Sequence, residues 1–214
     1  MTFITIISFF INQIATMNET FWNNRYAENK TVYGREPNQF FKRFIDTHKP
    51  ASILLPAEGE GRNAIYAAGK GWQVDAFDFS DEARKKAIEL AEQNKLRINY
   101  QVQRIENFHA AKSYDAVGLI YVHLPAAIRQ NFHRQIHDSL RSGGYLVFEA
   151  FAKEQIHFNS GGPKEISLLY DAPTVCSDFP FLHIISCGQK EIELNEGPFH
   201  KGKAAVLQLV GQKL

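Results

Sequence analysis

Between residues 51 and 151, short apolar runs alternate with longer stretches in which apolar residues recur at helical spacing. The runs predict strands near 51–55, 72–78, 98–103, 114–121 and 145–151, and the periodic stretches predict helices at 61–69, 81–94 and after Pro125. Ser80 reads as an N-cap, with Asp81 and Glu82 at the positive end of the helix dipole. Pro125 suits a first helical position, Ile128, Phe132, Ile136 and Leu140 form an i, i+4 stripe, and Gly143-Gly144 predicts the stop. Such alternation predicts an α/β fold, a Rossmann-like doubly wound and mostly parallel sheet with helices on both faces. After residue 151 the pattern changes. Residues 152–180 read as a lid loop around Ser160-Gly161-Gly162-Pro163, and strands near 181–194 and 203–211 form an antiparallel C-terminal hairpin.

Ahead of the alternation, residues 18–46 read as an N-terminal helical cap of one or two helices, rich in aromatics and broken at Tyr33-Gly34 and Glu36-Pro37-Asn38. Phe40, Phe41 and Phe44 are read as core. Residues 1–17 form an N-terminal extension. Its first eleven residues are apolar, too short to span a bilayer, and lack the basic start of a signal peptide. Two readings stand, an extra β-rich segment or a mis-assigned start with Met17 the true first residue, and the second is favoured because recognisable pattern begins at Asn18. Residues 18–214 are then one domain, with 51–150 as its cofactor-binding core and 181–214 as its terminal hairpin.

Composition narrows the partners. The chain has 24 basic and 23 acidic side chains and a formal charge of +1, so no electrostatic footprint for nucleic acid stands out. Two cysteines, Cys176 and Cys187, are too few for a disulfide framework and read as reduced thiols in a cytoplasmic protein. His133 and His137 stand at i, i+4, but Arg134 occupies the place of a metalloprotease glutamate and no third ligand is evident. A solvated helix face is the expectation there, and no metal.

The candidate chemistry lies in residues 52–80, where an apolar strand runs into Glu58-Gly59-Glu60-Gly61, a small-residue helix follows, and a second strand ends at Asp78. Gly59-x-Gly61-x-x-Ala64 with Asp78 nineteen residues after Gly59 satisfies a fingerprint for NAD. It also fits the turn that holds S-adenosylmethionine. Charge separates the two, because Glu58 and Glu60 would repel a pyrophosphate held over the turn. S-adenosylmethionine brings an ammonium and a sulfonium that a turn carboxylate can pair with, and a carboxylate that Arg62 can answer.

FWNNRYAENKTVYGREPNQFF, LLPAEGEGRNA, VDAFDFS, LRSGGYLVFEAF and the closing Glu196-Gly197 and His200-x-Gly202 resemble the class I S-adenosylmethionine-dependent methyltransferases. The nearest branch is that of small bacterial enzymes similar to tellurite-resistance and thiopurine methyltransferases. The resemblance covers Asn18 to Leu214 and implies a seven-stranded sheet with the last strand antiparallel. It further implies that Glu58, Gly59 and Gly61 line the methionine part of the cofactor. Asp78 would take the ribose hydroxyls, Phe79 would lie against the adenine, and Ile105 and Glu106 would reach its edge. Tyr121 and His123 would face the reactive end, with Tyr26 and Tyr33 closing over it. Two positions depart from the family. Leu55 stands where an aspartate is usual and Ala57 where a glycine is usual, with Glu58 as the expected replacement acid. Arg104 occupies an adenine-contacting position, which leaves Glu106 for that contact.

Methyl transfer from a sulfonium needs alignment and exclusion of water more than a dedicated catalytic group. Where the acceptor must lose a proton, His123 is the expected catalytic base, with His157 and His200 next. The implied function is methyl transfer to a small-molecule acceptor: a thiol, a chalcogen oxyanion or a hydroxyl. A cofactor-binding protein without transferase activity and an NAD-linked oxidoreductase are the alternatives.

Overall fold

The computed structural model describes residues 20–110 and 112–214. The apolar segment 1–11 and the expected start at Met17 lie outside them. The cap consists of α1 (20–28) and α2 (Gln39–Thr47). The core runs β1 (Ser52–Pro56), α3 (Arg62–Gly69), β2 (Gln73–Asp78), α4 (Asp81–Gln93), β3 (Asn99–Val102) and β4 (Tyr114–Ile120), then α5 (Ala126–Ser139) and β5 (Leu140–Phe151). It closes with α6 (Ala172–Asp178), β6 (Leu182–Asn195) and β7 (Lys201–Lys213).

These strands form one seven-stranded sheet in the order β3-β2-β1-β4-β5-β7-β6. β1 to β5 pair in parallel, and β7 lies antiparallel between β5 and β6. The expected doubly wound sheet with its antiparallel hairpin is therefore the observed one.

The two-residue period of the strands explains the two cores. Ile53 and Leu55 of β1 face α2, α3 and α4, packing with Phe41, Phe44, Ala64, Ala67 and Ala87. Leu54 faces the other side, in a cluster with Phe132 and Ile136 of α5, Val175 of α6 and Phe179 just after it. Phe41 and Phe44 are thus core, as read from the sequence. Ala64, Ala67 and Ala87 carry only a methyl group each, which lets α3 and α4 approach the sheet closely.

Three local readings are corrected. α5 ends at Ser139 rather than at Gly143-Gly144, because Leu140 pairs with Tyr114 and belongs to the sheet and its core. Pro125 occupies the N-cap position, and Ala126 begins the helix. The segment after β5 is more than a loop: it contains 3-10 turns at Lys153–His157 and Ile166–Leu168 and the short α6. α6 starts where Asp171 accepts a hydrogen bond from Thr174 N at 2.8 Å, with Pro173 in its first turn.

Strand order reverses direction at β1, with β2 on one side and β4 on the other. The carboxyl ends of β1 and β4 flank this switch point, where ligands of open α/β sheets bind. No helix among the described residues is long and apolar enough to cross a membrane.

Candidate cofactor and acceptor site

The turn after β1 is built around positive φ. Gly59 (φ +61°) and Gly61 (φ +86°) take the left-handed region, and so does Ala57 (φ +50°). A Cβ on Gly59 would lie 2.8 Å from Tyr26 Oη, and one on Gly61 would lie 2.7 Å from Ala87 Cβ. Both glycines are therefore required by close approach as well as by φ.

Asp78 ends β2 at the same level. Its two oxygens accept from Gly59 N (3.1 Å) and Ser80 N (2.9 Å), with the Phe79 N–H a further backbone donor to the carboxyl. Burial pushes its carboxyl up to about 6, against the pull of those backbone hydrogen bonds. A buried carboxylate suits the hydroxyls of a ribose, so the residues present fit an adenosine cofactor. Phe79 is half-buried beside it. Ile105 and Glu106 sit on the 3-10 turn after β3, with Ile105 against the core, Glu106 exposed and Arg104 Nε 3.9 Å from the Glu106 carboxylate.

The two turn glutamates have different jobs. Glu58 is buried, and its oxygens accept from Ala64 N at 2.7 Å and Asn63 Nδ2 at 3.2 Å. Gly61, the N-cap of α3, has no side chain to cap with, so Glu58 satisfies the first turn of the helix instead. That places a protein carboxylate where a dinucleotide phosphate would bind, which disfavours NAD. Glu60 accepts from Val32 N (2.7 Å) and pairs with Lys86 (3.0 Å), tying the cap to the turn.

Burial also pushes Glu58 up to about 7. Between its unfolded value and about 7 the native state holds the extra proton, so its contribution to stability falls as pH rises through that window. A Glu58→Gln variant is accordingly expected to gain on the wild type by roughly 3 kcal/mol between pH about 4.5 and about 7, with no further gain above it. Urea unfolding at several pH values measures this.

Arg62 is committed within the protein. Nη2 pairs with Glu196 at 2.8 Å, and Nη1 donates to Tyr33 O (3.4 Å) and Glu36 O (3.3 Å). It joins α3, the cap loop and the β6–β7 turn. Glu196 is buried. Burial alone would raise its carboxyl, but the His200 hydrogen bond and the Arg62 charge hold it below the ordinary range. Asn38, the N-cap of α2, extends the network. Its Nδ2 donates to Glu149 on β5 at 2.5 Å and to Glu196 at 3.3 Å, while its Oδ1 accepts from Phe40 N and Phe41 N. Gln208 of β7 donates to the other Glu149 oxygen. Glu149, Asn38 and Gln208 were not singled out from sequence. The signal for Glu149 and Gln208 was a polar residue inside the apolar runs YLVFEAF and AAVLQLV.

On the acceptor side, Tyr121 (φ +56°) follows β4 and donates its backbone N–H to Glu149 O at 2.7 Å. Its ring stacks on Phe151 (4.7 Å between centroids) and meets His200 at 4.7 Å. Tyr33 approaches His200 from the cap at 4.3 Å. Tyr26, buried on α1, stacks on Trp22 and presses on Gly59. The turn, Asp78, the two cap tyrosines, Tyr121 and His200 therefore converge at the switch point. His157 lies on the 3-10 turn after β5.

His123 also follows β4, but both ring nitrogens are engaged. Nδ1 donates to Leu168 O at 2.7 Å and Nε2 accepts from Phe151 N at 3.3 Å. Burial lowers its pKa to about 4. His133 is buried, with Nδ1 2.9 Å from Asp178, whose carboxylate also takes Arg129.

Residues 53–144 match the methyltransferase domain family. No curated protein matches the chain in sequence. Among solved structures the chain is similar to TehB from Haemophilus influenzae, with a TM-score of 0.69, 15% identity and 83% of this chain covered; it spans 63% of that protein. It is similar to the N-methyltransferase NodS from Bradyrhizobium japonicum WM9, solved with S-adenosylhomocysteine (TM-score 0.64, 14% identity, 82% of this chain and 84% of that one). It is also similar to the 1,6-didemethyltoxoflavin-N1-methyltransferase of Burkholderia thailandensis (TM-score 0.62, 16% identity, 82% and 77%). The chain thus has the fold of these methyltransferases, with the methyltransferase domain match at its centre, residues 53–144.

Proposed function

We propose that the protein is a cytoplasmic enzyme that moves the methyl group of S-adenosylmethionine onto a small-molecule acceptor by in-line displacement. The observation that carries this reading is the enclosure at the switch point. Tyr26 and Tyr33 of the cap, Tyr121 after β4 and His200 of the hairpin turn meet over the glycine turn, and the hydrogen bonds of Glu60 and Arg62 hold the cap down. Aromatic side chains gathered over the turn keep water out and suit a small acceptor better than a polymer. The toxoflavin methyltransferase named above was solved with a small heterocycle and S-adenosylhomocysteine bound.

When bound, the cofactor supplies an electrophilic methyl on a sulfonium. The chain's residues bind and align. Asp78 would hold the ribose, Phe79 and the turn of Ile105 and Glu106 would flank the adenine, and Glu58, Gly59, Gly61 and Arg62 would shape the methionine end. Of these, Glu58 and Arg62 act through the helix cap and the cap loop they hold. Aromatic faces of Tyr26, Tyr33 and Tyr121 favour positive charge near them. His123 has no ring nitrogen left for an acceptor proton, which favours alignment over base catalysis.

The test is incubation with S-adenosylmethionine labelled on its methyl group and a panel of small thiols, hydroxyl compounds, chalcogen oxyanions and amines. Label in a small product is the expected result. Cofactor binding with no transfer across the panel would favour the cofactor-binding protein without transferase activity.

A further inference from the structure

Cys176 and Cys187 play no part in the cofactor site, yet their sulfurs are 3.6 Å apart. They come from different elements: Cys176 from the last turn of α6 and Cys187 from β6. Both are partly exposed, and both pack on the rim of the α5–α6 core. The separation is contact between two thiols, and a disulfide requires the sulfurs to close by roughly 1.5 Å. Local structure can supply that movement. α6 spans only seven residues, and β6 is an edge strand whose register with β7 shifts between Ile184 and Ser186, next to Cys187.

We propose that Cys176 and Cys187 are a redox-responsive dithiol that closes to an intrachain disulfide and staples α6 to β6. One face of α6 is already clasped, since Asp178 takes Arg129 and His133 of α5. The cross-link would fix its other face. It anchors the carboxyl end of the segment 152–180, which supplies the Leu168 carbonyl to His123 and bridges Ala152 to Tyr170. The oxidation state of the pair is thereby connected to the rigidity of the wall beside Tyr121.

With a low-molecular-weight disulfide as oxidant, the exchange balances without other reagents. One sulfur of the pair attacks the reagent disulfide, forming a mixed disulfide and releasing one reagent thiol. The other then attacks the first and releases the second reagent thiol. Each attacking sulfur gives up a proton and each departing sulfur takes one. Burial and the contact with Cys176 push the Cys187 thiol up to about 11, so the exchange accelerates at alkaline pH.

The experiment takes the full chain, reduced with dithiothreitol and then incubated with oxidised glutathione. Intact mass, maleimide labelling and peptide mapping follow the product. The expected product is lighter by two hydrogens, carries no glutathione and no free thiol, and yields a cross-linked peptide joining Cys176 to Cys187. Dithiothreitol reverses it, and its thermal midpoint is higher than that of the reduced protein by several degrees. Cys176→Ser and Cys187→Ser variants each lose the cross-link. A wild-type product with two free thiols, with one or two glutathione adducts, or linked between chains overturns the proposal.

Discussion

Replacing Arg62 by methionine is expected to lower the unfolding free energy by roughly 3–5 kcal/mol. The pair it forms with Glu196 is buried, with side chains 9% and 8% exposed. Removing the guanidinium strands the Glu196 carboxylate without its cation. It also removes the donors to Tyr33 O and Glu36 O that hold the cap loop. His200 remains 3.4 Å from Glu196 but is itself buried and held toward its neutral form. Urea denaturation at neutral pH reads the loss. A companion Arg62→Met/Glu196→Leu variant is expected to recover a large part of it, because two apolar groups can replace a buried pair more cheaply than one partner can be left alone. A single-variant loss below about 1 kcal/mol, the range of an exposed pair, would contradict this role.

The second large effect falls on binding. Asp78→Asn is expected to weaken S-adenosylhomocysteine by about 100-fold, on the order of one or two charge-assisted hydrogen bonds lost from the ribose. Folding should lose less than for Arg62, roughly 1–3 kcal/mol, since the amide spares the burial of a charge but leaves Gly59 N or Ser80 N without an acceptor. A larger loss in affinity than in stability separates this residue from Arg62. The same carboxyl gives a pH dependence. Below about 6 the wild-type group takes up a proton and loses acceptor capacity, so binding weakens as pH falls through that value. Titration calorimetry of both proteins across that range measures each effect, and an Asp78→Asn affinity within about twofold of wild type would count against the assignment.

What could be read from the chain follows from how far apart the interacting residues are. The glycine turn, Ser80 as a cap and Asp78 at the tip of β2 rest on local pattern, and each stands where its spacing placed it. Ala57 is the informative departure. Its positive φ marks the position as one where glycine is the easier residue.

The polar network was not legible. Arg62 and Glu196 are 134 positions apart, and Asn38 and Glu149 are 111 apart, so no window of sequence joins them. The contacts that fix Glu58 to the open end of α3 and Arg62 to the cap loop were equally out of reach of the turn motif. α6 was hidden by composition, because its start signal at Asp171 and Pro173 follows a glycine-rich stretch. β5 shows tertiary pairing overriding a local stop, since its partner strand claims Leu140 before the glycines are reached.

The most direct test of the cofactor assignment is calorimetric titration of the purified protein with S-adenosylhomocysteine, with NAD as a parallel control. The expected result is binding of S-adenosylhomocysteine with a Kd on the order of micromolar and no heat from NAD. Binding of NAD instead would mean that Glu58 does not guard the end of α3, and silence from both ligands would contradict a cofactor site at the turn.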